Sequence, residues 1–144
     1  MTEFTGQCLC GAVRFVAQAP SIFCCHCHCR FCRQAHSAAF VTWVGFPEAS
    51  VRVTSGADAV HWYQSSRQGR RGSCGRCGTM MFYESAVVPG ETHVARACIP
   101  GAIDLEPSMH VFFDQKVDWM TINDGLPTIA SDDPLLAGFK DVGR

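Results

Sequence analysis

At 144 residues, 47% of them apolar, with a formal charge of −1, the chain can bury roughly 68–70% of the surface its unfolded form exposes and so build a core without staples. The near-neutral balance argues against a general polyanion binder and a membrane-surface protein, and no apolar run approaches the ~20 residues of a membrane span. The first residues, Met1-Thr2-Glu3-Phe4-Thr5-Gly6, lack the basic and apolar regions of a secretory signal, so a cytoplasmic location is expected, with no membrane and no nucleic-acid partner.

In chain order, short β-prone runs occupy 12–17, 38–44, 51–54, 60–64, 79–83, 92–98 and 109–113, each followed by Gly, Pro, Asp or Ser turn chemistry. One or two helical turns are expected over 30–36, and another short helix over 133–136 after an Asp-Asp-Pro start. Short strands without crossover helices predict a mainly β fold of antiparallel sheets. From 114 onward, scattered anchors such as Val117, Trp119, Ile122 and Leu126 suggest a tail wrapped over the core, fraying at its last residues. No repeat or linker divides the sequence, so 1–144 is expected to be a single domain with 128–144 as its C-terminal tail.

Ten cysteines in a reducing compartment are more often metal ligands than disulfides. Cys8-Leu9-Cys10 and Cys74-Gly75-Arg76-Cys77 are two local chelates, the arrangement of a closed structural zinc site of four sulfurs. A turn or bulge is expected at Cys8–Cys10, because alternation along a strand would point the two sulfurs apart. A thioredoxin-type redox role for Cys74 and Cys77 needs a helix at the motif, whereas strand-like Thr79-Met80-Met81-Phe82-Tyr83 follows.

The run Cys24-Cys25-His26-Cys27-His28-Cys29-Arg30-Phe31-Cys32-Arg33 contains a second candidate site. Cys27, Cys29 and Cys32 have compact spacing for one zinc with an open fourth position, as catalysis requires. A fourth ligand from Cys24, Cys25, His26, His36 or Cys98 would instead close it. The competing reading of Cys24, Cys25 and Cys98 is as buried apolar side chains, and of His28 as a group facing away from the metal. Seven thiolates on two Zn²⁺ would take the net charge from −1 to about −4. Among the nearby arginines, Arg30, Arg33, Arg70 and Arg71 are candidates to hold a substrate carboxylate, or else solvated charges offsetting the thiolates. No general acid can be named from the sequence.

Three ordered motifs carry a family resemblance: Gly6-Gln7-Cys8-Leu9-Cys10-Gly11-Ala12-Val13, Cys27-His28-Cys29-Arg30-Phe31-Cys32-Arg33-Gln34-Ala35-His36 and Cys74-Gly75-Arg76-Cys77-Gly78-Thr79. Together with Met109-His110-Val111-Phe112-Phe113, Lys116-Val117-Asp118-Trp119 and Asp124-Gly125-Leu126-Pro127, they make residues 5–127 resemble the glutathione-dependent formaldehyde-activating enzyme family, also called the GFA or CENP-V domain family. The resemblance implies an Mss4-like fold, a closed zinc at Cys8, Cys10, Cys74 and Cys77, and a three-cysteine zinc at Cys27, Cys29 and Cys32. It also implies carbon–sulfur lyase chemistry joining glutathione and formaldehyde reversibly into S-hydroxymethylglutathione. The partners so implied are a small thiol and a small aldehyde. The Cys24-Cys25 pair and Cys98 depart from the family pattern. The competing class is a zinc-stiffened binding module or glutathione carrier without turnover.

Overall fold

The computed structural model describes residues 2–139. Among these residues, eleven strands lie in two sheets: β1 (Glu3–Gln7), β2 (Arg14–Gln18), β3 (Phe23–Cys27), β4 (Val41–Pro47), β5 (Val51–Ser55), β6 (Val60–Gln64), β7 (Gly69–Cys74), β8 (Met80–Ser85), β9 (Glu91–Ala95), β10 (His110–Val111) and β11 (Thr128–Ile129). The α-helix α1 spans Arg30–His36. A small sheet has the order β1-β2-β5 and a large one the order β11-β10-β3-β4-β9-β8-β7-β6.

The expectation of a mainly β chain holds, and helix 30–36 falls where the sequence placed it. Pairing departs from antiparallel at one edge, where β10 runs parallel to both β3 and β11. A parallel pair needs a long connection, and the chain running from Cys27 at the end of β3 to His110 at the start of β10 supplies it. Strands β1, β3, β7 and β11 were not expected. Gly-Arg-Arg-Gly-Ser-Cys in β7 carries no β-branched or aromatic residue, so its extension comes from pairing with β6 and β8. Residues 96–98 form a 3₁₀ turn rather than the end of a strand, and Pro134–Phe139 is 3₁₀ where helix was expected over 133–136.

The large sheet separates two apolar clusters. On one face Phe4, Phe15 and Ala17 of the small sheet pack with Cys24, Val44, Phe46, Phe82 and Val94. On the other, Cys25, Cys27, Cys32, Val41, Trp43, Ala95, Val111 and Leu136 form a second cluster. Strand alternation therefore sends the adjacent Cys24 and Cys25 to opposite faces. Gly45 pairs with Phe23 across β3 and β4, and a Cβ there would lie 2.2 Å from the Phe23 ring. Its bare backbone thus seats that ring against the sheet.

Candidate metal centre and ligand cleft

The turn after β1 and the turn between β7 and β8 bring Cys8, Cys10, Cys74 and Cys77 together, all four sulfurs within 4.8 Å of one another. Gly11 at φ 77° and Gly78 at φ 82° allow the two turns to close in a left-handed conformation. The Cys8 N–H donates to the Val13 carbonyl and the Gly11 N–H to that of Cys8, which is the turn the first chelate requires. The Leu9 N–H donates to Thr79 Oγ1 at 3.0 Å, tying one turn to the other. Backbone N–H groups of Val13 and Arg76 donate to the sulfurs of Cys8 and Cys74 at 3.3 and 3.4 Å. Contact with the hydroxyl of Thr79, the largest influence, helps pull the Cys77 thiol down to about 5.

The donor set fits a tetrahedral ion. With metal–sulfur bonds of about 2.3 Å, a regular tetrahedron has sulfur–sulfur edges of about 3.8 Å. Cys8 and Cys10 lie 3.6 Å apart, and Cys10 and Cys74 3.9 Å.

The second group is built by the end of β3 and the start of α1. Cys27 closes the strand, Cys29 is the N-cap of the helix and Cys32 lies in its first turn. The Cys29 sulfur accepts from the Cys32 N–H at 3.3 Å, satisfying a helix-end donor. The three sulfurs lie within 4.8 Å of one another. Among the described residues no fourth cysteine, histidine or carboxylate joins them at that range. Cys24 belongs to the sandwich core and Cys98 sits on a 3₁₀ turn beside the Met80 carbonyl. Burial raises the Cys25 thiol to about 12, which keeps it neutral.

Cys32 is the sulfur of the trio that the surrounding donors face. Hydrogen bonds from Cys27 and Cys29 lower its pKa well below the usual thiol value, and Arg71 and the Trp43 indole add to this against the effect of burial. Trp43 Nε1 donates to Cys32 Sγ at 3.4 Å, and Arg71 Nη2 lies 3.7 Å from the same sulfur. Arg71 is 5% exposed, stands 4.8 Å over the Tyr83 ring, and its Nε and Nη1 are buried without a partner. Of the other candidate arginines, Arg30 lies 5.0 Å over the ring of Phe31. Arg33 instead donates to the His28 carbonyl, and Arg70 pairs with Glu84 at 2.6 Å while covering Trp62.

The trio forms part of the wall of a cleft of about 670 Å³, which Arg71, Tyr83, Glu91 and His93 also line. None of the four cysteines of the first group reaches it. His93 Nε2 lies 2.9 Å from Glu91 Oε2, and burial depresses the histidine's pKa despite that carboxylate. The sequence reading passed over this pair, although residues two apart on a strand share a face.

Behind the trio runs a polar chain that the sequence reading also missed. His28 is fully buried, its Nε2 2.8 Å from His110 Nδ1, and His110 Nε2 is 2.9 Å from Asp124 Oδ2. His26, His110 and Asp124 bring three potential ligand atoms within 4.8 Å. Both His110 nitrogens are already engaged, however, so the arrangement works as a hydrogen-bond chain holding β10 against the segment that carries Cys27 and Cys29. No helix among the described residues is long and apolar enough to cross a membrane.

The family model described as glutathione-dependent formaldehyde-activating enzyme matches residues 3–115. A Halomonas elongata protein provisionally named as such an enzyme is 26% identical over 143 residues, spanning 94% of this chain and 88% of that one. An uncharacterised lyase of Schizosaccharomyces pombe is 34% identical over 85 residues, 58% of either chain. The crystal structure of a Rhodobacter sphaeroides protein superposes with a TM-score of 0.59 at 25% identity, covering 69% of this chain and 91% of that one.

Proposed function

The chain belongs to the glutathione-dependent formaldehyde-activating enzyme family, and from that premise we propose that it is a zinc-dependent carbon–sulfur lyase acting on the aldehyde adduct of glutathione or a similar small thiol. One observation carries this reading. Cys27, Cys29 and Cys32 meet without a fourth protein donor among the described residues, on the wall of a cleft large enough for a small-molecule substrate. The sulfurs of Cys8, Cys10, Cys74 and Cys77 lie outside that cleft, and we assign them a second, structural zinc.

A zinc ion on the trio would supply Lewis acidity and favour the thiolate form of a bound thiol at neutral pH. The chain's own residues would do the rest. Arg71 lines the cleft and offers its positive charge to an anionic group of the substrate. In the cleavage direction the carbon–sulfur bond breaks with its electron pair passing to sulfur, and the adduct's hydroxyl oxygen loses its proton as the carbonyl forms. The His93–Glu91 pair is placed to take that proton, and returning it to the thiolate yields the free thiol and aldehyde. All ten cysteines are free of disulfides, which supports the cytoplasm as the working compartment. The share of both sheets in one sandwich core supports treating residues 2–139 as a single unit, while the expected fraying of the last residues lies outside the described residues.

The test is exchange spectroscopy on glutathione and formaldehyde at equilibrium with their adduct, with zinc-replete protein added. Faster exchange than in buffer, lost in a Cys29→Ser variant, supports the reading. Binding of glutathione without acceleration would reduce the protein to a carrier, and the lyase reading would fall.

A further inference from the structure

The cleft has far more apolar wall than a one-carbon aldehyde can use. Met109, Phe112 and Phe23 pack against the same cluster that contains Cys27 and Cys32, together with Val111 and Leu136, and all five line the cleft. Phe139 joins them, its ring 6.5 Å from that of Phe112. Phe112 holds a φ of 54°, a left-handed backbone state that a bulky side chain rarely adopts, so its placement is set by the surrounding structure rather than by local preference.

The polar groups of the wall are mostly engaged already. Gln115 accepts from the Arg30 N–H and donates to Ser131, and Glu91 is bound to His93. Arg71 brings a positive charge to the wall, which suits one anionic group of the thiol. The apolar side chains pack directly beside the sulfurs. A substituent on the carbon that bonds to the substrate's sulfur would therefore meet hydrocarbon, not water.

We infer that the cleft is built for the thiol adduct of a large apolar aldehyde, with an alkyl or aryl chain lying along Met109, Phe112, Leu136 and Phe139, rather than for the formaldehyde adduct. This rests on the lyase reading for its thiol half and specifies the aldehyde half. The reaction balances as before: the carbon–sulfur bond of RS–CH(OH)–R′ breaks with its electrons on sulfur, the hydroxyl proton moves to sulfur by way of the protein, and RSH and R′CHO leave.

Stable thioethers separate the two claims, because they bind without turning over. Zinc-replete protein is titrated calorimetrically with S-methyl-, S-butyl- and S-hexylglutathione, and turnover of glutathione adducts of formaldehyde, butanal and hexanal is measured alongside. Affinity is expected to rise with chain length, by up to about fourfold per methylene, the transfer value of a buried CH₂. The same slope should appear in kcat/KM. Phe112→Ala and Phe139→Ala should each flatten both slopes while zinc content and the circular dichroism spectrum stay as in the parent. A flat or falling series in the thioethers overturns the inference even if the formaldehyde adduct is cleaved rapidly. A rising thioether series with no adduct cleaved at all leaves the apolar subsite standing and overturns the lyase reading instead.

Discussion

The guanidinium of Arg71 reaches within 3.7 Å of Cys32 Sγ while two of its nitrogens remain buried and unpartnered. Within its own chain Arg71 meets the Cys32 sulfur and the Tyr83 ring, contacts whose loss would cost stability, and its side chain also lines the cleft. Its use there is to meet an anion brought by a ligand. Arg71→Met should lower the melting temperature, because Cys32 loses the cation beside it, and should weaken glutathione binding by about ten- to hundredfold, the worth of one charge-assisted hydrogen bond. Calorimetric titration and thermal unfolding of the same preparation check both halves. A variant that loses stability but binds glutathione as tightly as the parent would reverse the assignment.

The two cysteine groups should respond differently to losing a ligand. Cys74 is buried in the sandwich core, between two sheets whose turns the four sulfurs tie together. Structural zinc contributes apparent free energies of about 10–16 kcal/mol, as much as a whole domain's stability of about 5–15 kcal/mol. Cys74→Ser is therefore expected to abolish cooperative folding. Cys29 is only half-buried at the rim of the cleft, so Cys29→Ser should lose one equivalent of zinc and keep a cooperative transition. Metal analysis and circular dichroism on both variants decide this. Equal loss of structure in the two would mean that neither group is the open one.

What could be read without coordinates was what chemistry makes local. Cys74-Gly75-Arg76-Cys77 folds back on itself through nearby glycines, and Arg30–His36 forms a helix capped by its neighbour Cys29, so spacing alone reveals both. The joining of Cys8 to Cys74, some sixty residues away, was legible because only a shared ion explains two such chelates in one chain. Strand β3 was not, because its Phe-Cys-Cys-His-Cys sequence looks like a metal loop, and its alternation becomes visible only when β4 and β10 lie on either side. Arg71 carried no more signal than Arg70. Their difference arises because adjacent strand residues face opposite ways, one toward the cleft and one toward Glu84.

The chain from Asp124 through His110 to His28 predicts a structural effect transmitted to the trio. His110 is 1% exposed and closes the parallel register between β3 and β10. His110→Ala would leave His28 Nε2 buried without its partner and is expected to cost about 1–3 kcal/mol. Asp124 is gentler. Hydrogen bonding from His110, then from the Leu126 N–H, holds its carboxyl below the ordinary value of 3.8. A depressed carboxyl pKa adds stability that is complete above pH 3.8 and disappears as the pH falls through the lowered folded value. Asp124→Asn should thus lower stability at pH 7 and narrow its gap from the parent in strong acid. Denaturant titrations at the two pH values provide the check, and a gap independent of pH would remove the Asp124–His110 hydrogen bond from the account.

His36 offers a separate acid test, set apart from thiolate protonation by taking differences between two proteins. Its ring lies 5.2 Å from Trp43 in an edge-on contact, its Nε2 is buried without a partner, and burial drives its pKa down to about 4 from 6.5. Above pH 6.5 neither the folded nor the unfolded chain protonates it, so it has no effect there. Between 6.5 and 4 the unfolded chain binds a proton that the folded chain refuses, and stability falls with pH by up to about 3 kcal/mol before levelling off below 4. His36→Phe removes both the orphaned nitrogen and the titration while keeping a ring against Trp43. The variant's stability advantage over the parent should therefore grow steadily from pH 6.5 to 4, with zinc content the same in both proteins at neutral pH. Parallel acid profiles would show that His36 does not titrate as its burial demands. Loss of a zinc equivalent in the variant would instead make it the missing fourth ligand of Cys27, Cys29 and Cys32, and the cleft would lose its open corner.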